Sequence, residues 1–185
     1  MNKDGALLDV DSTSSSYVQE WLNPSCKLPN MHPTRCLVLA CGNALRSDDG
    51  VGPRLAEWAE ERFHEDDCVR VIFRQQWTPD LAAEIAAAES VLFIDSSVES
   101  LPGQVGLIPV EPRTEPNGSA THHMNANELL GLAHELYGSR SAHAMLLTVG
   151  AGSTKLGETF SDCVEAALPR ARGVLEKAVL RFLEN

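Results

Sequence analysis

The stretch Leu37–Trp58, LVLACGNALRSDDGVGPRLAEW, predicts a buried strand, a turn and an amphipathic helix in close succession. Its first residues, Leu37–Ala40, form an apolar run that is typical of a strand covered on both faces. A glycine–asparagine pair interrupts that run, and apolar residues then recur at helical spacing from Val51. Asp48 and Asp49 are therefore expected in a strand-to-helix loop, where α/β proteins commonly place their chemistry.

Strands and helices alternate along the rest of the chain. Strands are predicted at Arg35–Cys41, Val69–Gln75, Val91–Asp95, Gln104–Val110 and Ala144–Gly150. Helices are predicted at about Pro53–Phe63, Pro79–Ala88, Asn127–Tyr137 and Asp162–Leu183. This alternation predicts an α/β fold, a three-layer sandwich in which a mostly parallel sheet of about five strands carries helices on both faces. We expect that domain at residues 35–185, and a mobile N-terminal extension at residues 1–34, which lack a sustained apolar period.

Several predicted helix boundaries carry residues that suit them. Pro53 fits a first helical turn, where its missing N–H is not needed. Asn125 and Glu128 have the spacing of a capping box, and Gly138 fits the end of the same helix. Pro169 falls inside the last helix and is expected to kink it.

The composition excludes several classes of function. The chain has 185 residues, enough for one domain, and a net charge of −11 from 15 basic and 26 acidic residues. That acidity argues against nucleic acid as a partner, because phosphate binding needs a concentrated basic face. No apolar run approaches the ~20 residues that a membrane span needs, and the polar N-terminus does not resemble a signal peptide, so a cytoplasmic location is expected. The five cysteines form no C-x-x-C pair and no zinc spacing.

Two further segments offer groups that bind metals. Asp95 ends the apolar run of its predicted strand, and either a place at a site on the carboxyl edge of the sheet or a turn-capping role fits that position. The loop THHMNANELL carries His122 and His123 just before a predicted helix. Two carboxylates and an imidazole from three separate loops suit a divalent ion such as Ni²⁺, Zn²⁺ or Co²⁺.

Other enzyme motifs are incomplete. His134 and Glu135 begin an H-E-x-x-H pattern, but Gly138 occupies the place of the second histidine. The sequence has no G-x-S-x-G and no P-loop, and its G-x-G strings do not continue to G-x-G-x-x-G. A thermolysin-like protease, a serine hydrolase and a nucleotide enzyme are therefore disfavoured.

The string GN-x-L-x-x-DDG-x-GP of the first loop resembles the opening motif of the hydrogenase maturation proteases. These endopeptidases trim the C-terminal tail of the [NiFe]-hydrogenase large subunit after nickel is installed. The segment VLFIDSS resembles the second motif of the family, and His122 matches the spacing of the family's histidine, which His123 misses by one position. The resemblance implies that Asp49, Asp95 and His122 are both metal ligands and catalytic residues, and that Asp48 is a supporting or capping residue.

The function that the resemblance implies is a nickel-dependent endopeptidase, which removes the C-terminal extension of an immature [NiFe]-hydrogenase large subunit. Nickel would be supplied by that substrate and not permanently bound, and the protease is expected to be a monomer. The metal polarising the scissile carbonyl, the metal activating a water and a carboxylate acting as base all remain open. The alternative function is a non-proteolytic nickel checkpoint or chaperone that binds the immature large subunit. A different hydrolase on the same scaffold is a third hypothesis.

A substrate tail would need a groove beside the site. The predicted walls are the Glu111–His123 loop and the residues Gln75, Gln76 and Trp77. Trp77 fits either an anchor for the partner or a core position, and the core is slightly favoured.

Overall fold

A computed structural model describes residues 34–113, 124–138 and 143–184, all of which belong to one compact unit. The predicted N-terminal extension lies outside the described residues, apart from Thr34, and stays a prediction.

Five strands and four α-helices form the described part of the chain. The strands are β1 (Thr34–Cys41), β2 (Val69–Arg74), β3 (Ala88–Ser97), β4 (Val105–Pro109) and β5 (His143–Gly150). The helices are α1 (Val51–Phe63), α2 (Ala82–Ala86), α3 (Ala126–Tyr137) and α4 (Asp162–Glu184), and short 3₁₀ turns lie at Ser47–Gly50 and Pro79–Leu81. No helix in the described ranges is both long enough and apolar enough to cross a membrane.

The strands form one sheet in the order β2-β1-β3-β5-β4. β1 runs parallel to both β2 and β3, and β3 runs parallel to β5. β4 alone among these strands is antiparallel, and it pairs with β5 at the edge of the sheet. The predicted mostly parallel sheet is confirmed.

The side chains of β1 alternate between two apolar cores. Val38 and Ala40 pack on one face with residues of α1 and α4. Leu37 and Leu39 pack on the opposite face with residues of α2 and α3. Each fully buried leucine or valine contributes about 1.5–3 kcal/mol, and burial on both faces explains why β1 is an uninterrupted apolar run. The helices on both faces confirm the predicted three-layer sandwich.

The boundary between α2 and β3 differs from the prediction. A single helix was expected at Pro79–Ala88, but the segment is a 3₁₀ turn followed by a short α2 that ends at Ala86. Ala88 already belongs to β3, where it pairs with Thr34 of β1. The helical preference of this alanine-rich segment is overridden by the pairing of its last residues with the central strand.

The predicted helix-boundary residues occupy the expected places. Pro53 lies in the first turn of α1. Asn125 and Glu128 form the capping box of α3, and Gly138 ends that helix in the left-handed conformation with φ of 61°. α4 continues without a break through Pro169, which is exposed, and the kink expected at this residue stays a prediction.

Candidate active site

The carboxyl ends of β1 and β3 lie side by side and begin the site. Ala40 of β1 is opposite Ile94 of β3, so the next residues, Cys41 and Asp95, are also neighbours. The Cys41 thiol donates a hydrogen bond to Oδ1 of Asp95, with a distance of 3.3 Å between sulfur and oxygen. Asp95 therefore lies at the carboxyl edge of the sheet, as its position after an apolar run predicted.

Asp49 reaches the same edge from the 3₁₀ turn that follows β1. The backbone N–H of Asn43 donates to Oδ2 of Asp49 at 3.0 Å, and the Ser96 hydroxyl donates to Oδ1 at 2.9 Å. A residue of β3 thus holds Asp49, while Cys41 of β1 holds Asp95. These reciprocal hydrogen bonds fix the two carboxylates relative to each other, and we call Asp49 and Asp95 the carboxylate pair.

The carboxylate pair is an uncompensated concentration of negative charge. Burial raises the pKa of Asp95 to about 6, and the charge of Asp49 raises it further, against the lowering effect of hydrogen bonds from Cys41 and the Ser96 backbone. Neither carboxylate forms an ion pair with a lysine or arginine among the residues the structure describes. Two half-buried carboxylates in this state attract a cation.

The Cys41 thiol acts as a neutral donor in this arrangement. Burial raises its pKa well above the usual range, and the charges of Asp95 and Asp49 raise it further. Since the thiolate is the nucleophilic form, this thiol is not activated for nucleophilic attack.

Asp48 has a different role from its neighbour Asp49. Its side chain is fully buried and accepts four hydrogen bonds of 2.7 to 2.8 Å, from the backbone of Gly152, Ser153 and Ser161 and from the Ser161 hydroxyl. Burial raises the pKa of Asp48, but these hydrogen bonds outweigh it and hold that pKa below its usual range. Asp48 therefore joins the loop after β1 to the loop after β5.

His122, the third residue predicted at the site, lies outside the described residues, as does His123. Within the described ranges no group of three histidine, cysteine or acidic side chains is arranged to hold a metal ion. The structure thus brings together Asp49 and Asp95, and the ligand roles of all three residues stay predictions. The described site offers the oxygens of two carboxylates, which would suit a divalent cation that brings other ligands with it.

Sequence reasoning missed the residues that hold these carboxylates. Cys41 and Ser96 carry a usable signal, because each lies near the carboxyl end of its strand and next in sequence to the apolar run or to Asp95. The Asp48 contacts carry none, since their partners lie more than 100 positions along the chain. The glycine-containing segment around Gly152, which resembles half of a dinucleotide turn, instead provides the backbone donors for Asp48.

The residues predicted to form the walls of a substrate groove differ in their exposure. Trp77 is only 4% exposed and packs edge-to-face on Phe93 with ring centroids 5.3 Å apart, so the core interpretation is confirmed. Gln75 and Gln76 are exposed. The Glu111–His123 loop is described only as far as residue 113, and the rest of that prediction lies outside the described residues.

No protein-family model matches the chain, and no curated protein matches it either. Solved structures do match it. The [NiFe] hydrogenase maturation protease HybD of Thermococcus kodakarensis is 27% identical, with a TM-score of 0.62 over 78% of this chain and 98% of the other. The protease HycI of the same organism is 26% identical, with a TM-score of 0.59 over 82% of this chain and 94% of its own. A hydrogenase 2 maturation peptidase from a Thaumarchaeota archaeon is 26% identical, with a TM-score of 0.57 over 78% of this chain and 97% of its own.

These neighbours are proteases and peptidases, which is the class of hydrolase predicted for this chain. They match nearly their whole lengths, so the similarity covers the complete α/β sandwich and not a shared fragment. The resemblance that the first motif predicts is therefore confirmed by structure: this chain is similar, in sequence and in fold, to the family of [NiFe] hydrogenase maturation proteases.

Proposed function

We propose that this protein is a nickel-dependent endopeptidase that removes the C-terminal extension of an immature [NiFe]-hydrogenase large subunit. The observation that carries the proposal is the carboxylate pair, Asp49 and Asp95, set at the carboxyl edge of a sheet whose fold matches known maturation proteases. The pair lacks a cationic partner among the described residues, so it is available to a metal ion that a substrate presents.

In this proposal nickel belongs to the substrate. Two carboxylates and the imidazole of His122 suit Ni²⁺ in chemistry, and their small number favours recognition over capture. A protease that held the ion tightly would strip it from the subunit it is meant to mature. Weak and transient binding through a few ligands would distinguish a nickel-loaded subunit from a nickel-free one and would leave the nickel in the subunit.

The chain's own contribution to catalysis is to place charge beside the scissile bond. Asp49 is held by two hydrogen bonds, and one oxygen of Asp95 is held by the Cys41 thiol, so little reorganisation is needed when the substrate arrives. The substrate's nickel would supply a Lewis acid for a carbonyl or a water. A carboxylate of the pair would accept the proton that the attacking water loses.

The test is to incubate the protein with a nickel-loaded large subunit that still carries its tail, and to measure intact mass. Loss of a C-terminal peptide, absent with the nickel-free subunit, is the expected result. Asp49→Asn and Asp95→Asn preserve side-chain volume and remove one charge each, and both are expected to abolish the cut. Normal processing by these variants and by His122→Ala would refute the proposal.

An unchanged mass together with a stable complex would support the nickel checkpoint instead. The proposal also includes a cytoplasmic location and a monomeric protein. Cell fractionation and light scattering test these two points.

A further inference from the structure

A second surface feature is lined in part by the segment that carries Asp49. It is a cavity of about 370 Å³ between α1, the end of β2 and the loop after β5, and we call it the α1 groove. Gly50, the residue that follows Asp49, forms part of its lining. The groove therefore begins one residue from the candidate site, and its volume falls within the ~300–1,000 Å³ common for ligand pockets.

The groove exposes aromatic surface. Phe73 lines it near the end of the edge strand β2, and its side chain is 38% exposed although it is large and apolar. Phe160 also lines it and is partly exposed. Its ring lies close to Gly50, where an added Cβ would be 3.5 Å from the ring. Because exposed aromatic rings in a concave surface are typical of contact sites for partners, the groove has the apolar part of a peptide-binding surface.

The loops after β1 and β5, which supply Ala44 and Phe160 to the lining, are tied to each other and expose further apolar side chains. The N–H of Gly157 donates to the carbonyl of Leu45 at 2.9 Å, and the N–H of Ser47 donates to the carbonyl of Gly157 at 2.7 Å. Leu45 is 54% exposed and Leu156 is 89% exposed. Leu45 and Leu156 thus place exposed apolar surface on the same loops that carry the lining residues Ala44 and Glu158.

The rim of the groove is acidic. Glu57, Glu60 and Glu158 line it together with a single cation, Arg54. Arg54 already pairs with Glu57, with 3.5 Å between nitrogen and oxygen. Glu60 and Glu158 form no ion pair among the residues that the structure describes. The rim therefore complements a positively charged side chain.

Arg74, the next cation along β2, does not neutralise the rim through an ion pair. Its guanidinium donates to the carbonyl of Phe73 at 2.8 Å and is absent from the lining of the groove. The groove therefore has apolar walls and two carboxylates that form no ion pair among the described residues. These features fit an occupant that has a large apolar group next to a positive charge.

We propose that the α1 groove binds a segment of the substrate polypeptide that carries a large apolar side chain next to a lysine or arginine. This inference rests on the proposed function and adds to it the place where the substrate is held beside the cut. The apolar side chain contacts Phe73 and Phe160, and the cation lies between Glu60 and Glu158. The contact selects for substrate sequence separately from the metal.

Direct binding tests the groove without any cleavage. The probe is a fluorescein-labelled ten-residue peptide containing Leu, Phe and two Lys, compared with the same peptide carrying Glu in place of Lys. Fluorescence anisotropy gives the affinity, and amide shifts of Gly50 and Phe160 in ¹⁵N NMR spectra give the place. Only the lysine peptide is expected to shift these amides, with an affinity that falls as salt rises.

Paired variants distinguish the groove from general charge. The double variant Glu60→Gln, Glu158→Gln removes two exposed rim carboxylates and is expected to weaken the lysine peptide about 3- to 10-fold. The control Glu61→Gln, Glu99→Gln removes two exposed carboxylates outside the lining and is expected to leave binding unchanged. Phe73→Ala tests the apolar wall and is expected to weaken the peptide as well.

Equal affinity for both peptides, equal effects of the two double variants, or amide shifts confined to other surfaces would overturn the groove proposal. Cleavage of the nickel-loaded precursor, run in parallel, separates the two proposals. If wild-type protein cuts the precursor but the rim variant cuts it equally well, the groove assignment fails and the protease stands. If the peptide binds in the groove but no precursor is cut, the protease fails, and with it the substrate assignment.

Discussion

Replacing Asp95 with asparagine should make the protein more stable at neutral pH while removing a residue that its proposed function needs. Burial and the neighbouring Asp49 raise the pKa of Asp95 from 3.8 to about 6. Asparagine keeps the shape of the side chain and an oxygen that accepts from Cys41, but it carries no charge. The variant therefore isolates the energetic consequence of holding a carboxylate at this position.

The magnitude follows from the pKa of Asp95 in the folded and unfolded states. A displacement of about 2 pKa units, at 1.36 kcal/mol each, corresponds to about 3 kcal/mol. Solvent screening of a half-buried group reduces this, so about 1–3 kcal/mol is expected. Between pH 3.8 and 6 the folded state binds more protons than the unfolded state, so the free energy of unfolding of the wild type falls as pH rises through that window. Asparagine does not titrate, so the free energy of unfolding of the variant does not fall for this reason over the same pH range.

Urea unfolding at pH 4 and pH 7 measures the effect, with EDTA present so that no divalent ion neutralises the pair. The two proteins should have similar stability at pH 4, and Asp95→Asn should be about 1–3 kcal/mol more stable at pH 7. Glu99→Gln removes an exposed carboxylate and is expected to change the unfolding free energy by less than about 0.5 kcal/mol at either pH. A difference between Asp95→Asn and wild type that is the same at both pH values would refute the reasoning.

Three further substitutions test the surroundings of the carboxylate pair, and a fourth, in α4, serves as a control. Asp48→Asn should have the opposite sign to Asp95→Asn, destabilising the protein by about 2–4 kcal/mol at pH 7 because it weakens a buried set of four hydrogen bonds, and urea unfolding checks this. Ser96→Ala removes one hydrogen bond to Asp49 and should slow precursor cleavage while lowering the unfolding free energy by only about 1 kcal/mol; an unchanged rate would show that this bond does not position the carboxylate. Gly52→Ala should destabilise by several kcal/mol, since its Cβ would lie 1.8 Å from the carbonyl oxygen at the end of β1. The matched change Gly173→Ala, in α4 with no atom within 4 Å of the new Cβ, should raise stability by about 0.5–1 kcal/mol, and thermal unfolding compares the two.

Local pattern was enough to predict most of the sheet and the position of the carboxylate pair. Leu37–Ala40 is apolar because both faces of the central strand β1 are covered, and that requirement is visible in the strand's own sequence. Asp49 and Asp95 could be placed at one edge because Asp49 follows the parallel strand β1 and Asp95 ends the apolar run of the parallel strand β3. Their separate positions in sequence did not matter, since the topology brings such ends together.

The parts that local pattern did not predict depend on contacts between distant segments. Asp48 and Asp49 are adjacent and chemically identical, yet one is fully buried by residues more than 100 positions away and the other faces the site. No property of the first loop alone distinguishes their environments. The predicted end of the helix at Ala88 was wrong for the same reason. Ala88 belongs to a strand because it pairs with Thr34, which is distant in sequence.

The strand order has a consequence for how the chain is made. β4 ends at Pro109, and the strand beside which it lies, β5, is completed only at Gly150. A ribosome adding ~5–20 residues per second needs about 2–8 s to synthesise the intervening segment. During that interval β1, β2 and β3 can already associate, whereas β4, with Leu107 and Ile108, has emerged without its place in the sheet. The nascent protein therefore passes through a stage in which β4 has no neighbouring strand, and such an unpaired strand is the kind of surface that chaperones protect.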